Sequence, residues 1–179
     1  MGTAGKKLFI IGYQGSEDIV DLAKDMSIFD EIEVIHNSKE FLITDINKYA
    51  ENTNLEVFLF VNIENPREKL KILNGIRDSN YKIATLISPK ASVASSAKID
   101  VGCIVEPMAV VKSHAIIEMG CTISSGTIIE NNVKIGKCSM IDYYAIIISN
   151  TIIPELTKIV YNAVINNSVI TLNKKHRKD

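Results

Sequence analysis

The stretch Gly126–Met140, GTIIENNVKIGKCSM, decides the fold, because an aliphatic residue returns in it every six places, at Ile129 and again at Ile135. Extended both ways, this frame gives fourteen uninterrupted hexads over residues 87–170: ISPKAS, VASSAK, IDVGCI, VEPMAV, VKSHAI, IEMGCT, ISSGTI, IENNVK, IGKCSM, IDYYAI, IISNTI, IPELTK, IVYNAV and INNSVI. All open on Ile or Val, although these residues fill only 27 of the 84 positions. Chance would do that about once in ten million trials, so the period is architectural. The fifth place is separately constrained. It is small or β-branched throughout, from Ala91 and Ala97 through Cys103, Cys121, Thr127, Ser139 and Ala145 to Val169. One aliphatic and one compact residue point inward from each short strand, and a sharp turn follows. Three such sides close a triangular coil, and coils stack ~4.8 Å apart. The pattern predicts a parallel β-helix of a little under five coils, with no inserted loop.

Before Ile87 the period is different. KKLFIIG (6–12), EIEVIHN (31–37), EVFLFVN (56–62) and YKIATLI (81–87) read as strands. Between them lie three helical segments. GSEDIVDLAKDM (15–26) has Ser16 at its N-cap and acids in its first turn, TDINKYAEN (44–52) is capped by Thr44, and NPREKLKILNGIRDSN (65–80) has Asn65 as cap and Pro66 at the first position. Strand–helix alternation implies a small parallel sheet with right-handed crossovers, whose ligands bind beyond the strands' C-terminal ends. Here that means the loops 12–16, 36–38 and 62–65. The expected organisation is an α/β parallel-sheet domain over 1–86, a β-helix over 87–172 and a basic tail over 173–179.

With 46% hydrophobic and 23% charged residues the chain is globular. No apolar run approaches the ~18 residues of a membrane span, and LFIIG is too short for a signal-peptide core, so a cytoplasmic address is expected. Residues 1–86 hold 10 basic against 14 acidic side chains and residues 87–179 hold 10 against 7, the KKHRKD tail supplying that excess, so no basic face is offered to nucleic acid. Cys103, Cys121 and Cys138 lack metal-ligand spacing, and no metal is expected. Cys103 and Cys121, one coil apart, should stack inside the prism and stay reduced.

The loop FIIGYQGS (9–16), the junction YKIATLISPKASVASSAKI (81–99) and the hexads together resemble the bacterial nucleotide-sugar N-acetyltransferases and sialic-acid O-acetyltransferases of the hexapeptide-repeat class, over nearly the whole chain. The resemblance implies a Rossmann-like N-terminal domain that binds a UDP-sugar and a left-handed β-helix. It also implies a homotrimer with acetyl-CoA as co-substrate in the groove between adjacent prisms. Carried onto this sequence, the nucleotide-sugar contacts fall on Gly12, Gly15, Ser16, Asn62 and Asn65, and the CoA contacts on Tyr144, Ala145 and Asn162. The activity implied is acetyl transfer to a sugar amine or hydroxyl in bacterial surface-glycan synthesis.

The positions that carry the family's chemistry depart from its pattern. A histidine in I-E-H-x-x-x-I-G acts there as general base, and IENNVKIG (129–136) has Asn131 instead, which orients a nucleophile but accepts no proton at neutral pH. A second family histidine falls on Met140, a glycine falls on Tyr144, the G-H-G of the nucleotide loop is replaced by Gly15-Ser16-Glu17, the junction His-Pro reads Ser88-Pro89, and the C-terminal G-x-P-A-K is absent. His114, the one histidine in the hexads, lies a coil below Asn132 and reads either as an exposed turn residue or as a relocated base. Arg67 reads as a solvated residue or a phosphate contact, and Tyr143–Tyr144 as an exposed aromatic pair. Two functions stand: an altered acetyltransferase, and a non-catalytic trimeric binding or scaffold homologue. With Glu17 repelling the nucleotide and Tyr144 crowding the acetyl site, Asn131→His alone is expected not to restore turnover. The trimer is expected from outward aliphatic residues, Val101, Ile104, Val110, Ile116, Ile128 and those of 146–152, which cyclic closure would bury.

Overall fold

The computed structural model describes residues 5–12, 16–36, 46, 48, 49 and 53–167. The N-terminal sheet is parallel, in the order β2 (Glu31–His36), β1 (Lys6–Gly12), β3 (Glu56–Asn62), β4 (Lys82–Ile83). Helix α1 (Glu17–Asp25) follows β1, and α2 (Pro66–Arg77) follows β3. Asn65 caps α2 as expected, its Oδ1 accepting from the N–H groups of Arg67 and Glu68 at 3.0 and 3.2 Å. Thr44 and most of the segment 44–52 lie outside the described residues.

The segment 81–87 is not one strand. It divides between β4 and β5 (Leu86–Ile87), because Leu86–Ile87 already pairs with Ile104–Val105 of the β-helix. From β5 onward the chain is a three-sided parallel prism. Its first face stacks β5, β8 (Ile104–Val105), β11 (Thr122–Ile123), β14 (Met140–Ile141) and β17 (Lys158–Ile159). The second stacks β6 (Ser92–Val93), β9 (Val110–Val111), β12 (Ile128–Ile129), β15 (Ile146–Ile147) and β18 (Val164–Ile165). The third stacks β7 (Lys98–Ile99), β10 (Ile116–Ile117), β13 (Lys134–Ile135) and β16 (Ile152–Ile153). Partners differ by eighteen residues in every pair, so the hexad frame is the register.

The interior is filled as the pattern predicts. Val105, Val111, Ile117, Ile123, Ile129, Ile135, Ile141 and Ile147 form one buried column set. Four of the polar fifth-place residues are accommodated by donation across the coil. Cys103, Cys121, Thr127 and Ser139 each give their side-chain hydrogen to the carbonyl fifteen residues ahead, at 2.8–3.2 Å. The three cysteines are buried and free.

The small domain is docked on the first face. Leu8, Ile10, Leu22, Phe60 and Ala84 share a core with Leu86 and Ile104 of the prism. Ile104, read from the sequence as outer surface, is therefore covered. On the other side of the sheet, Leu73 of α2 enters a notch over the third-to-first corner. A Cβ on Gly120 would stand 2.6 Å from its Cδ1, and one on Gly102 3.0 Å from its Cδ2, and both glycines have positive φ. The second and third faces keep Ile116, Ile152 and Val164 exposed.

Candidate functional site

The sheet order places a switch point between β1 and β3, because the chain leaves β1 to one side for β2 and to the other for β3. Ligands of open parallel sheets sit in that crevice. Gly12 and Asn62 pair at its rim. A Cβ on Gly12 would lie 2.8 Å from the Asn62 carbonyl oxygen and 3.2 Å from Ser16 Oγ, so only glycine lets the two loops approach. Ser16 begins α1 without a side-chain cap; its Oγ instead accepts from Asn62 Nδ2 at 3.2 Å, tying the two loops together.

This crevice opens onto the prism's first face as a cleft of about 700 Å³. Its sheet-side wall includes Asn62, Asn65 and Lys69, and its prism wall Thr122, Met140 and Lys158, the outward residues of β11, β14 and β17. Asp18, Glu106, Asp142 and Tyr143 gather at one part of it. Glu106 Oε2 accepts from the Ser125 N–H at 2.9 Å and hydroxyl at 3.0 Å, yet its carboxyl is raised, chiefly by burial and further by Asp18 and Asp142. The same carboxylates, Glu106 first, raise the Tyr143 phenol.

Of the sequence-predicted nucleotide residues, Asn62 and Asn65 line the cleft, Gly12 and Ser16 pack against Asn62 with Ser16 lining a separate hollow beside α1, and Gly15 lies outside the described residues. Glu17 is not there. It is exposed and borders a separate hollow with Val20, Lys24 and His36, while its neighbour Asp18 faces the cleft. Arg67 is exposed and is not part of the lining.

The expected catalytic and CoA residues sit on other corners. Asn131 is exposed at the second-to-third corner; its carbonyl accepts from the Asn150 N–H at 3.0 Å. Asn132 beside it donates to Asn150 Oδ1 at 3.2 Å. His114 is exposed a coil below with φ 60°, its N–H held by Ser96 Oγ at 3.2 Å. Tyr144 and Asn162 stack on the first-to-second corner, where the Asn162 N–H meets the Tyr143 carbonyl at 2.9 Å. Ala145 is buried in the prism core, its N–H bonded to the Asp142 carbonyl and its carbonyl to the Ile128 N–H. Tyr143 and Tyr144 do not form a ring pair among the described residues. Tyr143 turns to the cleft, and the Tyr144 ring covers Gly126. One chain thus gathers the nucleotide-side residues in the cleft and leaves Asn131 and His114 on the corner between the two other faces.

Sequence reading missed Asp18, Lys69, Glu106, Asp142 and Lys158. The signal for Lys69 was available: with Ile72, Leu73 and Ile76 it occupies the i, i+3, i+4, i+7 stripe of α2, and all four are buried. The column Ile104, Thr122, Met140, Lys158 was equally available, by counting in eighteens.

No protein-family model matches the chain, and neither does any curated protein sequence. Solved structures do. PerB from Caulobacter crescentus, in complex with CoA and GDP-perosamine, is similar at 17% identity over 92% of this chain and 91% of that one, with a TM-score of 0.70. A histidine-to-asparagine variant of perosamine N-acetyltransferase from the same organism, with the same two ligands, covers 92% and 90% at 17% identity and TM-score 0.65. The acetyltransferase domain of PglB from Neisseria gonorrhoeae FA1090, with acetyl coenzyme A, covers 91% and 94% at 20% identity and TM-score 0.62. At such identities the likeness is one of fold, and it spans about nine-tenths of each chain, the small sheet domain and the prism together.

Proposed function

We propose that this chain is an acetyl-CoA-dependent acetyltransferase acting on the amine of a nucleotide-linked sugar, built as a homotrimer of left-handed β-helices with Rossmann-like domains. The observation that carries the proposal is the switch-point cleft: Asn62 and Asn65 line a crevice that opens directly onto the prism, with Gly12 and Ser16 packed against Asn62 at its edge. The two-domain likeness to structures holding CoA with GDP-perosamine supports it. A UDP- or GDP-sugar would lie in the cleft with CoA along the first-to-second corner, at Tyr144, Asn162 and the backbone of Ala145. Because Asn131 is on a different corner, it would reach the sugar of a neighbouring copy. That is why the trimer is part of the reading.

In the reaction the sugar amine attacks the thioester carbonyl. A C–N bond forms, the C–S bond breaks, and the CoA thiolate takes up a proton. Asn131 offers a carboxamide oxygen that can orient the amine but not deprotonate it, so turnover rests on positioning and on amine that arrives neutral. This same residue favours the second reading, a trimer that binds the ligands without turnover. The histidine-to-asparagine neighbour is seen with both of its ligands, so that substitution is compatible with binding in that protein.

The test is a thermal-shift series with CoA, acetyl-CoA and UDP- and GDP-sugars, alongside thiol release from acetyl-CoA and light scattering. Ligands that bind only the folded state raise the melting temperature. Shifts with CoA, thiol release dependent on the amino sugar and a trimeric mass are expected. Shifts without release leave the binding reading, and no shift with any CoA species overturns both.

A further inference from the structure

Lys69 is a buried cation of the cleft whose placement the proposed function leaves unexplained. It belongs to the apolar stripe of α2 and is only 5% exposed. An ammonium so placed is costly unless it is paired, and buried lysines are ordinarily matched with a carboxylate. Among the described residues the Lys69 ammonium forms no ion pair and no hydrogen bond, while its backbone N–H bonds the Asn65 carbonyl at 2.9 Å. Its one close electrostatic contact is the face of Phe60, 5.8 Å from Nζ to the ring centroid. Glu64, which lines the same cleft, is exposed and does not pair with it. The groups whose charge would favour the ammonium are Cys138 first, then Cys103 and Cys121, and burial holds the Cys138 thiol up at about 11, so Cys138 supplies no thiolate to pair with it at neutral pH. Desolvation accordingly lowers the Lys69 pKa. The side chain lines the main cleft and a smaller recess of about 60 Å³ beside it, and Lys158 lines both as well.

We propose that Lys69 is the anion-binding group of this cleft, an ammonium kept without a protein partner so that a phosphate of the bound ligand supplies the missing charge. The cleft is polarised accordingly. Asp18, Glu106 and Asp142 make the Tyr143 part unfavourable for phosphate, which leaves the part lined by Lys69, Lys158 and the α2 N-terminus, where Glu64 is the one carboxylate among the described residues, to receive it. The chemical class is a diphosphate ester, the nucleoside diphosphate moiety of the substrate class proposed above. The proposal rests on that reading of the cleft, but it fails separately from it.

The experiment compares wild type with Lys69→Met, which keeps the length of the side chain without the charge, and with Lys69→Arg. Binding of inorganic pyrophosphate, GDP, UDP and CoA is measured by calorimetry, and melting temperatures are measured without ligand. Lys69→Met is expected to weaken pyrophosphate and the tighter-binding nucleoside diphosphate at least tenfold, to leave CoA within twofold, and to melt higher than wild type, because an unpaired buried charge is gone. Lys69→Arg should recover part of the diphosphate affinity. In wild type, pyrophosphate at saturation should protect Lys69 selectively from trace acetic-anhydride labelling, a measurement that needs no variant to fold. Equal diphosphate affinity in wild type and Lys69→Met, absence of diphosphate binding by wild type, or labelling of Lys69 that pyrophosphate does not change would each overturn the proposal. If wild type binds diphosphate through Lys69 but no CoA species, the Lys69 assignment stands and the acetyltransferase reading falls.

Discussion

Glu130 Oε2 receives two hydrogen bonds from Ser149, from its N–H at 3.0 Å and from its hydroxyl at 2.9 Å, while Lys112 approaches Oε1 at 3.3 Å. The Ser149 donors, then Lys112, hold this carboxyl below its usual range. The acid adjoining Asn131 is therefore a locked anion and a poor proton acceptor. Among the described residues at this corner His114, one coil away, is the other candidate base.

Asn131→His should raise amino-sugar-dependent thiol release at least tenfold, since a positioned general base is worth roughly 10²- to 10⁴-fold. The sequence argued against rescue because Glu17 would repel the nucleotide and Tyr144 would crowd the acetyl site; Glu17 borders a hollow separate from the cleft, and a rescue would show that neither residue blocks turnover. An unchanged rate, with CoA and sugar nucleotide still bound, would favour the non-catalytic trimer. A high wild-type rate abolished by His114→Ala would identify His114 as the base instead.

Gly12→Ala is expected to cost about 1–3 kcal/mol in urea unfolding, the usual penalty of overpacking, because its Cβ meets the Asn62 carbonyl at 2.8 Å. The same change separates Ser16 from Asn62, so sugar-nucleotide affinity should fall while CoA affinity holds. A variant as stable as wild type would show that the loops yield easily.

Thr151→Val should stabilise the prism. Thr151 Oγ1 is the one buried side-chain oxygen without a partner among the described residues. Its equivalents Thr127 and Ser139 reach the carbonyls of Asp142 and Pro154. Removing an unsatisfied buried hydroxyl by an isosteric methyl should recover about 1 kcal/mol, read as a higher urea midpoint at unchanged slope. A lower midpoint would mean the hydroxyl is satisfied in solution.

Glu106→Gln tests the acidic part of the cleft by its pH dependence. The folded chain raises this carboxyl, chiefly by burial, so between its ordinary and raised values the folded state holds the proton more than the unfolded state does. Stability therefore falls as pH rises through that window, and the penalty is complete above it. Glutamine carries no such penalty. The variant should melt higher than wild type at pH 7, with the gap closing as pH is lowered toward 4. A gap independent of pH would assign the difference to the Ser125 hydrogen bonds.

The prism was legible almost to the residue, because burying two positions in six of a regular coil leaves a period that no local preference can hide. Its corners were less so. Met108, Cys138, Tyr144 and Leu156 all adopt positive φ, a conformation their side chains do not favour and which the stacked coils impose on them. Where the small domain meets the prism, the sequence misled at Leu86, which belongs to a coil, and at Ile104, which belongs to a shared core. The cleft residues Asp18, Glu106 and Asp142 are far apart in sequence and each is unremarkable alone. Only docking of the sheet on the first face brings them to one place.

Asn167 covers the last rung of the third face among the described residues. Its side-chain Oδ1 accepts from the Ile152 N–H at 3.0 Å, and its Nδ2 donates to the Asn150 carbonyl at 2.8 Å. A stack of parallel strands is an open-ended template, and bare backbone on its last rung invites another chain to add on in register. The carboxamide of Asn167 occupies that donor and that acceptor on the third face, as a plug does. Fibre growth from this edge would have to displace it first. Replacing Asn167 by leucine would leave the fold in place and expose the edge, and a protein that now forms filaments on storage would be the visible result.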